Sequence, residues 1–434
     1  MKKYLLIILA LSIATHFAFF GNPNQTVFDE VHFGKFVSGY YTGEYYFDIH
    51  PPLGKLMIAG FAKIVNFRPE YNFTEIGKEF PDNKYLALRL LPTIAGTLLS
   101  LIIYLLILEL GMSRMAAFTG ALLVVFDNAL LAQSRLILLD PFLLLFGFSS
   151  LFFYFKKKYL PMAILAGLAI SIKWTGLGFI ALPILIEVAK TFKTTKIALK
   201  LTIANFKAVL KLASFFLVSL AIYFSVFALH FALLPNPGPG DAFMKPNFRE
   251  NNITKNILDL NIEMYRSNQR LSASHPYSSQ WYAWPLMTRP LYYWVSENSR
   301  IYFFGNPIIW WSSTIAVIFA LLSIIRNTKY VIRNSTIPIL LGGYFINMLP
   351  FIGVNRVMFL YHYLTALIFA ILILVYLVDQ NPFDPLRARK NSRKIFTGII
   401  IASIAVFLFF APLSYGLPLS EKAYDARIWF ASWR

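Results

Sequence analysis

The chain has 434 residues, of which 57% are hydrophobic and only 14% charged, with a mean hydropathy of +0.59. Soluble domains carry about a quarter charged residues, so this composition excludes a soluble globular class and indicates an all-α polytopic membrane protein. The net charge of +19 and the absence of cysteine exclude two further classes: the basic residues cluster between apolar runs, as topology signals rather than as a nucleic-acid surface, and disulfide or thiolate chemistry is not available.

The N-terminus, MKKYLLIILALSIATHFAFFG, resembles a signal peptide without a clear small-x-small cleavage site and is read as a retained first span over 4–20. Further apolar runs lie at 83–109, 115–126, 141–155, 160–172, 174–189, 212–234, 307–325, 335–351, 357–378 and 395–412, giving about 11 crossings. Lys2 and Lys3, Arg114, Lys156 to Lys158, the 190–211 segment, Arg326/Lys329/Arg333 and RARKNSRK at 387–394 then fall on one side. The positive-inside rule predicts a cytoplasmic N-terminus and an external C-terminus.

Two loops face outward in this reading, 21–82 and the larger 235–306. Lys190, Lys193, Lys196, Lys200, Lys207 and Lys211 recur at helical spacing and predict a cytoplasmic basic amphipathic helix over 190–211, resting on anionic lipid. HPPLGKLMIAGFAKIV at 50–65 predicts a short amphipathic helix along the outer leaflet, with Lys55 at headgroup height. DNALLAQSRLILLDP at 127–141 predicts a short helix at the outer surface, followed by a span that Asp140 caps and Pro141 opens.

Asp29, Glu30, His50, Lys55, Arg89, Asp127, Arg135 and Lys173 therefore gather at one depth, at or just within the outer surface. Arg89 sits inside a span, where an unpaired arginine costs several kcal/mol, so something anionic should meet it. Taken singly, Arg89 and Lys173 are equally snorkelling side chains or structural bridges to Asp29 or Glu30, the adjacent acids are a solvated loop, and His32 and His50 are loop histidines. Taken together, several cations and two acids at one level suit an anionic lipid headgroup held beside a base. His32, His50, His275 and His362 lack ligand spacing, and neither a G-x-S-x-G elbow nor a phosphate-binding P-loop occurs. No metal is assigned, although Asp29, Glu30 and Asp127 leave a divalent ion open. In HPYSSQWYAWPLMTRPLYYW at 275–294, Tyr277, Trp281 and Trp284 either flank a sugar or peptide or belong to an interfacial aromatic belt. The site reading is preferred for His275 to Trp281 and the belt for Tyr292 to Trp294.

FDEVHFGKF, YYFDIHPPLGKLMIAG, LRLLPTIAG, DNALLAQSRLILLD, SIKWTGL, SHPYSSQWYAWPLMTRPLYYW, GNPIIWW and FLYHYLTAL follow one another from about residue 28 to 370. In that order they resemble the protein O-mannosyltransferases that use a polyprenyl (dolichyl-type) phosphate mannose donor, within the GT-C class of membrane glycosyltransferases. The resemblance implies one GT-C membrane domain over 1–434, in the cell membrane with its active site external. It implies inverting transfer of mannose to Ser or Thr hydroxyls of secreted or membrane proteins, in possible association with the translocation machinery, and no cofactor besides the lipid-linked donor. It further implies Asp29 as the essential acid with Glu30 beside it, and Arg89, Arg135, Lys55, Lys173 and His50 around the donor phosphate. His275, Tyr277, Trp281, Asp127 and His362 are expected around acceptor or sugar. Eukaryotic members insert a β-trefoil MIR domain in the large external loop, for which 235–306 is too short, so the chain resembles a bacterial or archaeal member. The rivals are a relative that moves another sugar to a lipid or glycan, and a transporter. Charges collected at one face, without an evident repeat, disfavour the latter.

Overall fold

In the computed structural model, the described residues are all but 70, 196–200, 271–273, 327–335, 355 and 381–384, and the side chains of 191–209, 326 and 385–391 are not described either. Long apolar runs fold as helices because only a helix satisfies its own backbone polar groups in hydrocarbon. In chain order the helices are α1 (Lys2–Phe17), α2 (Glu30–Thr42), α3 (Leu53–Ile64), α4 (Tyr85–Glu109), α5 (Arg114–Val125), α6 (Asn128–Ser134), α7 (Asp140–Phe155), α8 (Tyr159–Ile172), α9 (Leu177–Thr195) and α10 (Leu201–Leu233). After α11 (Ile253–Arg270) comes an antiparallel hairpin, β1 (Leu291–Ser296) and β2 (Ser299–Phe303). Then follow α12 (Pro307–Arg326), α13 (Thr336–Ile346), α14 (Leu364–Gln380), α15 (Pro385–Tyr415) and α16 (Glu421–Asp425).

Each of the predicted apolar stretches falls on a helix, but they differ in length. Among the described residues, 6 helical stretches are long and apolar enough to cross a membrane: Tyr85–Glu109, Leu210–Leu233, Pro307–Ile325, Thr336–Gly353, Leu360–Gln380 and Ser392–Tyr415. The pair α5 and α6, bent by 59°, makes up to 7 if it is one span. The remaining stretches fall on α1, α7, α8 and α9. Of the predicted basic helix over 190–211, residues 196–200 and the side chains of 191–209 lie outside the described residues, while the backbone on either side closes α9 and opens α10; Lys329, Arg333 and the side chains of 387–391 also lie outside.

Helix α14 is the hub: its residues from Leu364 to Tyr376 are all buried, and it packs on α12, α13, α5 and α15. Around it α4 packs on α1, α5 and α7, and α8 on α7 and α10. Two glycines permit close approach between helices. A Cβ on Gly147 would stand 2.1 Å from the ring of Phe179, and one on Gly343 2.1 Å from the ring of Phe369.

The first loop is a folded cap rather than a tether. Its start and end are tied by Thr26 N–H to Lys78 O and Phe80 N–H to Asn24 O, both at 2.9 Å. Tyr71, Phe73, Phe80 and Tyr85 pack as one aromatic group beneath it. Helix α3 forms where the Pro-Pro pair predicts one. Asp140, expected to cap the following span, is instead the first residue of α7 with Leu139 at the cap position and Pro141 beside it; its carboxylate makes no cap and is engaged elsewhere. The cap in this stretch is Asp127, whose side chain accepts from Ala129 N–H and Leu130 N–H at the start of α6.

Candidate active site

Asp29 and Glu30 are adjacent in sequence and opposite in circumstance. Glu30 is fully buried: Arg89 Nε donates to Oε1 at 2.7 Å, Arg89 Nη2 to Oε2 at 2.7 Å, and the backbone N–H groups of Ile137 and Val27 reach Oε1 and Oε2 at 3.0 and 2.8 Å. Asp29 stands at the cap position of α2 in αR geometry; its backbone oxygen accepts from His32 N–H and Phe33 N–H, but its carboxylate makes no cap bond and accepts no hydrogen bond among the described residues. Phe28 aims it: φ is +45°, its N–H donates to Tyr293 O at 3.1 Å, and its ring stacks on Tyr293 at 4.3 Å. Tyr293 is the residue skipped by the β-bulge of the hairpin, so the 291–303 ribbon fixes the backbone just before the acid.

The structure withdraws several residues from the expected site. Arg89 uses all five N–H groups internally, two on Glu30 and three on the carbonyls of Gly21, Pro23 and Gln25, and is 0% exposed. A guanidinium with every donor satisfied has none left for a phosphate. Arg89 and Glu30 are therefore the buried strut that locks the first loop to α4, and both Glu30 oxygens are committed to it. Lys55, placed at headgroup height by sequence, is 1% exposed and held by the Asp48 carboxylate and by His50 O at 2.9 Å. Arg135 lies over the ring of Tyr415 at 4.4 Å with Nη2 on Phe19 O at 2.5 Å, and is absent from the cavity wall described below. Asp127 is equally structural: beyond the α6 cap it accepts from Asn306 N–H at 3.1 Å and Trp310 Nε1–H at 2.8 Å, tying α6 to α12. Among the described residues, no three His, Asp or Glu side chains come together as a metal-holding group.

What remains surrounds a cavity of about 260 Å³ between α7, α11, α13 and the residues before α14. Its wall carries Lys173, Asp140, His50, Arg356 and His362, with Asn268 and Gln269 of α11 on its outer side. Lys173 donates to both Asp140 oxygens at 2.9 Å and lies 5.3 Å from the ring centre of Tyr361. Gln133 Nε2 donates to Asp140 Oδ2 at 2.6 Å, and Gln133 Oε1 accepts from the Tyr293 hydroxyl. Arg356 Nη2 donates to His362 Nε2 at 3.3 Å, and His362 Nδ1 stands against the Phe359 backbone, 2.9 Å from its O and 3.2 Å from its N. Arg356 has no carboxylate partner among the described residues. Asp29 is not on the cavity wall itself, but it feels Lys173 and Arg356, which are.

Burial raises the Asp29 carboxyl from its ordinary acidic range to about 7, against the pull of Lys173 and with a push from Asp140 and Asp48. Burial and the charges of Lys173, Arg356 and Lys55 hold the His50 imidazole well below its ordinary value, so it is neutral at pH 7. A carboxyl that titrates near neutrality beside cations is matched to taking a proton while negative charge grows nearby.

The segment 275–284 is split. Trp284 is fully buried and stacks on His362 at 5.7 Å, whereas His275, Tyr277 and Trp281 do not line the cavity. His275 stands edge-on to Phe359 at 5.0 Å, and Tyr277 packs on Tyr292 and under Arg289. Sequence reasoning missed Arg356 and treated Asp140 as a cap. The available signal for Arg356 was a cation immediately before the FLYHYLTAL block, at the mouth of a span.

The chain matches the family described as dolichyl-phosphate-mannose-protein mannosyltransferase over residues 6–235, and the C-terminal four-transmembrane region of protein-O-mannosyltransferase over residues 253–433. It is 37% identical over 265 residues to dolichyl-phosphate-mannose--protein mannosyltransferase 4 of Candida albicans, a match that takes in 57% of this chain and 35% of the Candida one. The match thus spans about a third of that relative. In fold it is similar to the S. cerevisiae protein O-mannosyltransferase Pmt1-Pmt2 complex bound to the sugar donor, with a TM-score of 0.93 at 20% identity, covering 100% of this chain and 92% of that one. It is more distantly similar to ArnT from Cupriavidus metallidurans bound to undecaprenyl phosphate, with a TM-score of 0.57 at 13% identity, over 96% of this chain and 77% of that one. A fold with the GT-C arrangement, and a family match that takes in more than half of its length, place this chain in the dolichyl-phosphate-mannose-protein mannosyltransferase family.

Proposed function

We propose that the protein transfers mannose from a polyprenyl (dolichyl-type) phosphate mannose to Ser or Thr hydroxyls of proteins, with inversion and with Asp29 as general base. The observation that carries this reading is the Asp29 carboxyl: unpaired, titrating near 7, and next to Lys173 and Arg356 on the cavity wall. In the reaction, the acceptor hydroxyl gives its proton to Asp29 as its oxygen bonds to the anomeric carbon and the bond from that carbon to the phosphate oxygen breaks. The leaving phosphate gains charge, which Lys173 and Arg356 stabilise in a site with little water. His362, anchored on the Phe359 backbone, orients Arg356. A single free carboxylate fits an inverting displacement, since Glu30 and Asp140 are both committed to partners and no second acid is placed as a nucleophile.

The loops that carry Asp29 and α11 face outward in this reading, so donor headgroups in the outer leaflet meet secreted or membrane proteins, delivered in association with the translocation machinery. The test is mass measurement of a Ser/Thr peptide incubated with the purified protein and polyprenyl phosphate mannose. The wild type should add one hexose and Asp29→Asn should lose at least about 10²-fold in rate, the usual contribution of a general base. An undiminished Asp29→Asn enzyme removes the base assignment. Sugar appearing on a lipid or glycan but never on peptide removes the protein acceptor.

A further inference from the structure

Asp29 keeps an open carboxylate although Lys173 lies within electrostatic reach of it. A flexible ammonium beside a free carboxylate ordinarily closes an ion pair, because the pair is worth more away from bulk water. Here the ammonium is already held: Asp140 takes it with both oxygens at 2.9 Å. Asp140 is itself fixed from the far side by Gln133 Nε2 at 2.6 Å. Gln133 is 3% exposed, and its amide must offer a donor to Asp140 and an acceptor to the Tyr293 hydroxyl at once, which no carboxylate or hydrocarbon side chain does. Tyr293 in turn carries Phe28, the residue before Asp29.

We infer that Asp140 is a positioning residue that serves as the counter-charge of Lys173, holding the ammonium off Asp29 so that the base stays free, and moderating the pull of that cation on the donor phosphate. The part concerning the base rests on the proposed function; the part concerning the cation rests on the Lys173 and Asp140 contact alone. The other charges around Asp29 are Asp48, already paired with Lys55, and Arg356, and on its own helix His32 and Lys35. The phenols of Tyr293 and Tyr361 also face it. Asp140 also pushes on Asp29 directly as a like charge, so its neutralisation lowers the acid limb by both routes, and phosphate binding together with the opposite shift in Lys173→Gln isolates the part played by the ammonium.

The experiment uses the full chain in lipid nanodiscs with two readouts, binding of undecaprenyl phosphate without sugar and the pH profile of kcat/KM for mannosyl transfer. Asp140→Asn should tighten undecaprenyl phosphate binding, and Lys173→Gln should weaken it, each by about tenfold, the equivalent of one pKa unit. The acid limb of kcat/KM should move down by about one pH unit in Asp140→Asn, where Lys173 turns to Asp29, and up in Lys173→Gln. Gln133→Met keeps every charge and only loosens Asp140, so it should move both readouts in the Asp140→Asn direction by less; it stands in if Asp140→Asn fails to fold. Unchanged or weaker phosphate binding in a folded Asp140→Asn, or both single variants moving the same way, overturns the inference. A wild type that binds undecaprenyl phosphate but transfers no mannose counts against the proposed function, while the binding comparison still decides the role of Asp140.

Discussion

Replacing Arg89 with alanine tests whether the deepest charge of the site works on the fold or on the donor. The side chain contributes two hydrogen bonds to Glu30 and three to the carbonyls of Gly21, Pro23 and Gln25, all in a fully buried position. Its removal leaves the Glu30 carboxylate buried with only Val27 N–H and Ile137 N–H for partners. Breaking one side of such a buried pair costs about 3–5 kcal/mol, since the remaining charge is left without compensation. For a chain of this size that corresponds to a melting temperature lower by roughly 3–6 °C. The melting curve can be followed by intrinsic fluorescence of the 8 tryptophans, alongside undecaprenyl phosphate binding at a temperature where the variant is folded. Glu30→Gln with Arg89→Leu, which removes both charges, should recover part of the loss. A variant that melts with the wild type yet no longer binds the lipid phosphate would refute the reasoning and return Arg89 to the donor site.

Activity should fall as pH drops through about 7, because Asp29 accepts a proton only as carboxylate and its folded-state value is raised to about 7; a kcat/KM profile measured from pH 5 to 9 with no acid limb there contradicts the assignment. The same raised value means that the folded protein holds this proton more tightly than the unfolded chain, a stabilising effect present below about pH 4 and lost as pH rises to 7. Asp29→Asn should therefore melt higher than the wild type at pH 8, with the difference shrinking toward pH 4. Gly34→Ala places a Cβ 2.2 Å from the Phe73 ring and should cost about 1–3 kcal/mol through displacement of the first-loop core, read as a lower melting temperature. Cysteines introduced at Asn72 and Pro246 should label from outside intact cells and one at Lys158 should not, a test that the absence of native cysteine keeps clean; external labelling at Lys158 reverses the orientation.

Hydropathy and breaker residues were enough to locate the helices, since an apolar run without water has few alternatives to a helix. They were not enough to count crossings. The stretches on α7 and α8 have 16 and 14 residues and stand among other helices; hydrophobicity alone cannot separate a short span from a buried helix. The candidate site was legible as a set of charges at one depth, but not as a set of partners. Nothing local distinguishes Asp29 from Glu30, yet Glu30 is bound by Arg89 while the Asp29 carboxylate is left without a donor, because a helix turn points successive side chains about 100° apart. The same applies to the cations. Arg89 and Lys55 looked like phosphate ligands for the reason that makes them unfit: a charge that deep must already have its partner, and Glu30 and Asp48 provide it. Arg356, near the end of a span and less conspicuous, has no such acid. In a membrane-edge site of this kind the pairing has to be cancelled before the chemistry can be read. Removing Arg89 with Glu30, Lys55 with Asp48, and the structural Asp127 leaves one free carboxylate, one free guanidinium and the tethered Lys173, a base with the cations that a departing phosphate requires.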